Sequence, residues 1–215
     1  DPPEIPIQII GGGDNSFDSG DKIRFYATAT EGKYDPENDT HLNVYADRAY
    51  YYITVNGNDA KRILSFSQPS GQASEIVDTF KDAAYYEIDE FSPSLVGRKW
   101  YGDRFDIETE QTYGFSFPNV VNANPMSVSV RAAAIADNET NMEVSVNGEM
   151  INTFTMQATG SDMPSTTGAT FTQTTINQDS VTVKLNYNKN GNPAATAFLN
   201  YIRLEADREL KYADD

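Results

Sequence analysis

The sequence predicts an all-β protein of the β-sandwich or jelly-roll kind, with two packed β subdomains and little helix. Apolar and polar residues alternate along many short segments, which is the period of a half-buried strand. Clusters of Gly, Pro and Asn separate these segments, as turns do in an all-β fold. The chain also contains 13 Tyr and 11 Phe, residue types that are enriched in strands, and its 215 residues can bury a large core.

In the first half, alternation predicts a strand over 22–30, with Ile23 and Phe25 on one side. The segments 51–55 and 62–66 are each predicted to be strands. They are joined through Asn56-Gly57, a dipeptide that favours the positive φ angles of a type I′ turn. We therefore expect a β-hairpin at this place.

Two segments between the predicted strands have a different character. Residues 74–84 are the best helix candidate, because Ser74 could cap an apolar stripe with helical spacing; a surface loop is the alternative. Residues 157–170 are rich in Ser, Thr and Gly and are predicted to form a loop.

The second half shows the strand period most clearly. The strand that contains Met142, Val144 and Val146 should turn at Asn147-Gly148 into the next strand. Further strands are predicted around Val128 and Val130, over 181–187 and over 196–206.

The pattern divides the chain into three parts. We predict an N-terminal β subdomain over 1–96, a second β-sandwich subdomain over 97–210, and a linker to a downstream domain over 211–215. A structural seam should join the two subdomains, with Trp100 filling it and the glycines permitting tight backbone turns. Its residues are Gly97, Trp100, Tyr101, Gly102 and Phe105.

Composition argues against several classes of function. The net charge of −16 opposes binding to nucleic acid or to anionic lipid, since both need a basic surface. No apolar run approaches the roughly 18 residues of a membrane-spanning helix, so membrane insertion is not expected. The chain has no Cys, which excludes disulfides and thiol catalysis within it.

No catalytic residue is predicted. His41 is the single histidine, and we interpret it as a structural, hydrogen-bonded residue at the start of a strand, because no nucleophile motif accompanies it. An acid pair could come from the cluster Glu87, Asp89 and Glu90 or from the pair Asp103 and Asp106, but 32 acidic residues produce such pairs by chance.

The sequence is compatible with two kinds of ligand site. No cofactor is expected, apart from Ca²⁺ on a loop where Asp35, Glu37 and Asp39 could supply oxygen ligands; an ordinary turn is the alternative. The run Tyr50-Tyr51-Tyr52 could be a sugar-binding platform, although packing within a sheet is favoured for aromatic residues in strands.

The stretch Gly97-Arg98-x-Trp100-Tyr101-Gly102-Asp103-x-Phe105-Asp106 resembles a motif of PorU-type proteins. These are gingipain-like peptidases of family C25 in the type IX secretion system of Bacteroidetes. Three other stretches resemble the same family in the same order, namely 21–27, 41–54 and 198–210. Asp103 departs from the pattern, which has Glu at this place.

The resemblance implies that this chain is the N-terminal, non-catalytic region of such a protein, with the Cys–His pair in a downstream C25 domain. That domain would be its partner, together with type IX components of the outer membrane. It also implies an exported protein at the cell surface or outer membrane of a Gram-negative bacterium. The alternatives are a carbohydrate- or calcium-dependent adhesion module and a hydrolase that uses carboxylates.

Overall fold

All regular structure in the described residues is β-strand, which confirms the predicted fold class. The structure is a computed structural model, and it describes residues 3–14, 16–30, 33–43, 45–55, 57, 59–68, 70–93, 99–160 and 165–211. None of these residues belongs to a helix with the length and apolar character needed to cross a membrane. The chain forms two compact units, a first unit of Asp1–Gly32 with Leu42–Ser74 and a second unit of Lys33–His41 with Glu75–Asp215.

The first unit contains a small antiparallel sheet of β1 (Ile7–Ile10) and β2 (Lys22–Phe25). β2 confirms the beginning of the strand predicted over 22–30. Ile7 also exchanges hydrogen bonds with the segment 61–63, since its N–H donates to the Lys61 carbonyl and its carbonyl accepts from Ile63, both at 2.9 Å. A two-stranded sheet is marginally stable by itself in water, so this contact extends its pairing.

The predicted hairpin of 51–55 and 62–66 is wrong in the described residues. Residues 51–55 form no strand there, Arg62 makes only an isolated bridge to Ile7, and Asn56 lies outside the described residues. The Tyr51 hydroxyl instead accepts a hydrogen bond from the Thr28 N–H at 2.7 Å and donates to the Thr28 carbonyl at 2.6 Å. A side chain therefore ties this segment to residue 28, in place of the expected backbone ladder.

The second unit consists of two antiparallel sheets. In its described part, one sheet has the order β5-β10-β7-β8, and the other has the order β3-β11-β6-β9, with β4 also paired to β11. The strands are β3 (Thr79–Glu87), β4 (Arg104–Phe105), β5 (Glu110–Ser116), β6 (Met126–Ile135), β7 (Thr140–Val146), β8 (Glu149–Met156), β9 (Thr166–Thr174), β10 (Ser180–Asn188) and β11 (Thr196–Glu209).

The core of the second unit lies between these sheets, as in a β-sandwich. The alternating apolar residues predicted for β6, β7, β10 and β11 are buried, and large side chains such as Phe105 and Phe117 complete the layer. The predicted turn between β7 and β8 is confirmed, because Asn147 and Gly148 have φ angles of 49° and 87°. Positive φ at both central residues is the signature of a type I′ turn.

The structure corrects two predicted elements that belong to the second unit. Residues 79–84 of the helix candidate belong to β3, because this strand pairs along nine residues with β11 and the tertiary pairing overrides a weak helical period. The loop predicted over 157–170 ends earlier, since β9 begins at Thr166 and pairs with β6. The residues of this Thr-rich strand alternate between buried and exposed positions, which is typical of an edge strand with one buried face.

The predicted domain boundaries lie largely outside the described residues. The division at 96/97 falls within 94–98, and most of the predicted linker 211–215 falls within 212–215. The subdomains 1–96 and 97–210 and the linker therefore stay a prediction. The structure assigns β3 to the sheet of the second unit, although the predicted division places it before the boundary.

A substitution at Gly168 in β9 tests how closely β9 packs against β8. An added Cβ would lie 2.6 Å from the Thr155 carbonyl oxygen and 2.7 Å from Met156 Cγ. We expect Gly168→Ala to lower the free energy of unfolding by about 1–3 kcal/mol, because backbone atoms cannot give way. Urea denaturation measures this. Gly114→Ala in β5 is the control, since nothing lies within 4 Å of its added Cβ, and equal losses in the two variants would contradict the packing.

Candidate functional site

Residues 33–41 form a closed loop that belongs to the second unit, whereas the chain before and after them belongs to the first unit. We call this segment the anchored loop. Its ends meet through hydrogen bonds from the Asp35 N–H to the Thr40 carbonyl at 2.8 Å and from the Thr40 N–H to the Asp35 carbonyl at 3.3 Å. Asp39 has a φ of 56°, which lets the chain turn back within so short a loop.

Glu87, the last residue of β3, fixes one end of the anchored loop. Its buried carboxylate accepts hydrogen bonds from the Thr40 hydroxyl at 2.6 Å, from the His41 N–H at 2.7 Å and from His41 Nδ1 at 2.8 Å. A carboxylate only accepts, so the proton of the His41 ring lies on Nδ1. Three donors to one buried carboxylate make this a strong and directional attachment.

The His41 ring is enclosed by aromatic side chains. It stacks on Tyr85 with ring centroids 4.5 Å apart and planes at 6°, and Tyr201 meets it edge-on at 5.1 Å. His41 is 3% exposed, and its Nε2 has no hydrogen-bond partner among the described residues. A base needs a nucleophile within hydrogen-bond reach, and the structure places none at either ring nitrogen in the part of the chain that it describes.

Asp39, which directly precedes Thr40, also attaches the anchored loop to the second sheet. Its carboxylate lies 2.6 Å from the Arg131 guanidinium and 3.4 Å from Lys99 Nζ, and it accepts hydrogen bonds from the hydroxyls of Tyr34 at 2.8 Å and Tyr201 at 3.1 Å. Burial, followed by the hydrogen bond to Asp39, raises the pKa of the Tyr34 phenol, so this hydroxyl keeps the proton that it donates. β6 and β11 each supply a partner, since Arg131 and Tyr201 are register neighbours.

The three predicted calcium ligands have other contacts in the structure. The Asp35 carboxylate accepts from the backbone N–H groups of Glu37 at 2.9 Å and Asn38 at 3.4 Å and from the Asn38 side chain at 2.7 Å, and the Asn38 side chain is the main cause that lowers the pKa of Asp35. Asp39 faces cations and hydroxyls. Across the described ranges, no three His, Asp or Glu side chains come together as a group that could hold a metal ion. A calcium site of Asp35, Glu37 and Asp39 stays a prediction without structural support.

The residues of the predicted seam differ in burial. Tyr101 and Phe105 are buried, at 3% and 0% exposure, whereas Trp100 is 42% exposed and does not fill the interior as expected. The reason is strand alternation: the backbone of Tyr101 bridges to Phe91, so Tyr101 points inward and the preceding Trp100 points outward. Gly97 lies outside the described residues.

Gly102 lies where two backbones approach closely, whereas a tight backbone turn was predicted for the seam glycines. A Cβ at this position would lie 2.7 Å from the carbonyl oxygen of Ile88. Tyr101 packs with Ala133 and Phe198 in a small cluster on the second sheet. Because these contacts are all within the second unit, a seam between two subdomains stays a prediction.

The tyrosine run of the first unit is more exposed than expected. Tyr50 and Tyr52 are 71% and 81% exposed, so packing within a sheet is the wrong interpretation for both, and Tyr51 is 37% exposed. A sugar platform at this place stays a prediction. Sequence reasoning also missed Arg131, although it is the only charged residue in β6, and a lone charge in an apolar strand signals a partner.

Comparison with solved structures supports the fold. Over 98% of this chain the fold is similar to the crystal structure of dimeric latent PorU from Porphyromonas gingivalis, with a TM-score of 0.67 and 16% identity, and this chain spans 20% of that chain. The predicted resemblance to PorU is thereby confirmed at the level of the fold. No protein-family model and no curated protein matches the sequence.

Carbohydrate-binding modules are similar over a smaller part of the chain. A CBM36 module in complex with calcium and xylotriose and a native family 35 module from Clostridium thermocellum each match 60% of this chain, with a TM-score of 0.37 and 13% identity. This chain covers 99% and 98% of these two modules.

Removal of the Glu87 carboxylate tests the attachment of the anchored loop. We expect Glu87→Ala to lower the free energy of unfolding by about 2–4 kcal/mol, because three buried donors lose their acceptor. Chemical denaturation measures this, with the exposed Glu108→Ala as the control, which should change stability by less than about 0.5 kcal/mol. Equal stability of the two variants would show that Glu87 does not hold the loop.

Substitutions at two neighbouring aromatic residues test which of the two rings is buried in the second unit. Tyr101→Ala should destabilise the chain by about 3–5 kcal/mol, because a buried ring leaves a cavity. Trp100→Ala should cost about 1 kcal/mol, because its ring is 42% exposed. Thermal and urea unfolding compare the two, and a larger loss in the Trp100 variant would overturn this assignment.

Proposed function

We propose that this chain is a non-catalytic β-sandwich region of a larger PorU-like protein, and that it supports or positions a neighbouring C25-type peptidase domain. The observation that carries the proposal is the similarity in fold to one fifth of latent PorU over 98% of this chain. We further propose that the whole protein is exported to the surface of a Gram-negative bacterium, where type IX secretion components of the outer membrane are its neighbours.

The chemistry of the described residues supports a non-catalytic role. The chain has no Cys, so the thiol nucleophile of a C25-type peptidase would have to come from another part of the protein. His41 Nδ1 is bound by Glu87, and Asp103 accepts a hydrogen bond from the Tyr113 hydroxyl at 2.9 Å. These acidic groups serve as hydrogen-bond acceptors within the fold.

Exposed apolar side chains on the first unit support the proposal of a partner. Large apolar side chains that are 80% exposed or more occur throughout its described residues, namely Tyr26, Tyr45, Tyr52, Val55, Leu64 and Phe66. Extensive exposed apolar surface marks interaction sites. The unit is also close to neutral, since its sequence has five Lys or Arg against eight Asp or Glu, a net charge of −3, and the second unit has the other −13.

The test uses the 215-residue chain and, as a separate protein, the polypeptide that follows it in its gene. We expect the chain alone to hydrolyse no peptide or glycoside substrate, and the second polypeptide to show thiol-peptidase activity. Addition of the chain should raise the melting temperature of the second polypeptide by several degrees, because a ligand of the native state stabilises it. Turnover by the purified chain, or no change in melting temperature, would refute the supporting role.

A matched pair of surface variants makes the test specific for the first unit. Phe66 and Phe171 are 89% and 68% exposed, in the first and second unit respectively, so replacement by Ser should leave both proteins folded. We expect Phe66→Ser to weaken binding to the second polypeptide about tenfold or more, and Phe171→Ser to change it less than about twofold. The opposite order, measured by calorimetry, would place the contact elsewhere.

A further inference from the structure

The second unit contains a cleft of about 480 Å³ beside β4 and β11, and none of the residues that line it belongs to the anchored loop. The segments that contain Glu90 and Asp103 line two of its sides. The lining also includes Phe91, Arg104, Ile135 and Phe198. A cleft of this size, with apolar walls and a few polar groups, is typical of a site for a small ligand or a short peptide segment.

Hydrogen bonds fix the backbone of this cleft before any ligand binds. The Tyr101 carbonyl accepts from the N–H groups of Glu90 at 3.0 Å and Phe91 at 2.8 Å, and the Tyr101 N–H donates to the Phe91 carbonyl at 2.8 Å. On the other side, the Gly102 N–H donates to the Leu199 carbonyl at 2.8 Å, and the Leu199 N–H donates to the Asp103 carbonyl at 2.9 Å. The site is therefore preformed, which reduces the entropy that a ligand must overcome.

Two stacked aromatic rings form part of the cleft. The rings of Phe91 and Phe198 lie 4.3 Å apart with their planes at 12°. Phe198 is 4% exposed and Phe91 is 38% exposed, so the inner ring supports the outer one and the outer one remains accessible. An accessible aromatic ring attracts cations, and a guanidinium in particular, because its plane can stack on the ring.

Three charged residues line the cleft, the acids Glu90 and Asp103 and the base Arg104, so their net charge is −1. Burial is the main cause that raises the pKa of Tyr86 to about 12, and Asp103 and Glu90 both add to it, so the two carboxylates lie near the same phenol. The Arg104 guanidinium is 2.7 Å from Asp106, and Lys189 Nζ is 3.0 Å from the same carboxylate. Among the described residues, the Glu90 carboxylate has no hydrogen-bond or ion-pair partner.

These features together select one kind of ligand. A bare metal ion would need more oxygen ligands than the cleft offers, and no metal-binding group of acids occurs in the described part of the chain. A cation with an apolar stem and a flat, delocalised charge fits both the phenyl ring and the carboxylates. Lysine is compact and strongly hydrated, so arginine suits the site better.

We propose that this cleft binds the arginine side chain of a partner polypeptide, with Phe91 beneath the guanidinium and Glu90 paired to it. This binding site goes beyond the proposed support of a peptidase domain and does not depend on it. The net charge of −16 of the whole chain would also attract a basic segment at low ionic strength.

The test is a titration of the full 215-residue chain with acetyl-Gly-Arg-Gly-amide, followed by the backbone amide signals in NMR. We expect saturable shifts at Phe91, Gly102 and Thr196, and binding about tenfold weaker for the same peptide with citrulline in place of arginine. Citrulline keeps the size and removes the charge. Equal binding of the two peptides, or shifts that do not saturate, would overturn the proposal.

Two variants complete the experiment. Glu90 is exposed, so Glu90→Gln should fold normally, and it should weaken arginine-peptide binding about tenfold. Glu149→Gln is the matched control, because Glu149 is exposed at the start of β8 and is not among the residues that line the cleft. Unchanged binding in Glu90→Gln, or an equal loss in Glu149→Gln, would show that the cleft does not recognise the cation.

Discussion

The fold of the second unit depends on β11 and on one irregularity within it. β11 pairs with β6 over most of its length, with β3 along residues 201–209 and with β4 at residues 197 and 198. The register with β6 shifts between Leu199 and Tyr201, so the strand gains one residue there. Such a bulge reverses which side the following residues face. Leu199 and Ile202 can therefore both point into the core, while Phe198 and Tyr201 both lie on the opposite side of the sheet.

This reversal provides the surface on which the two sites of the second unit are built. Phe198 supports the ring of Phe91 in the cleft, and Tyr201 contacts His41 and donates to Asp39 of the anchored loop. The loop brings charged groups onto a largely covered face, which would be unfavourable if they were unpaired. Each charge instead has several partners. These contacts fix the position of the anchored loop, but they add little net stability to the fold.

The sequence predicts those parts of the fold that depend on local pattern. Apolar and polar residues alternate along the strands of the core. The turn at Asn147-Gly148 needs positive φ angles at two residues, and these two residue types favour such angles. β3 is not predictable in this way, since its residues become a strand only when β11 lies beside them. The same holds for Glu87 and His41, which are 46 residues apart and become partners only through the tertiary fold. The bulge in β11 has no local signal in the sequence either. Asn200 is recognised as the extra residue only from the register between β11 and β6.

The two proposed binding surfaces would use different interactions, because charge is distributed unequally between the two units. The first unit is near neutral and has large exposed aromatic residues, so a partner on it would be held by burial of apolar surface, which salt strengthens or leaves unchanged. The second unit has most of the negative charge, and the cleft near Glu90 would bind through attraction between charges, which salt screens. The ionic strength of the solution therefore separates the two modes: a contact that persists in high salt belongs to the aromatic surface, and one that is lost belongs to the acidic cleft.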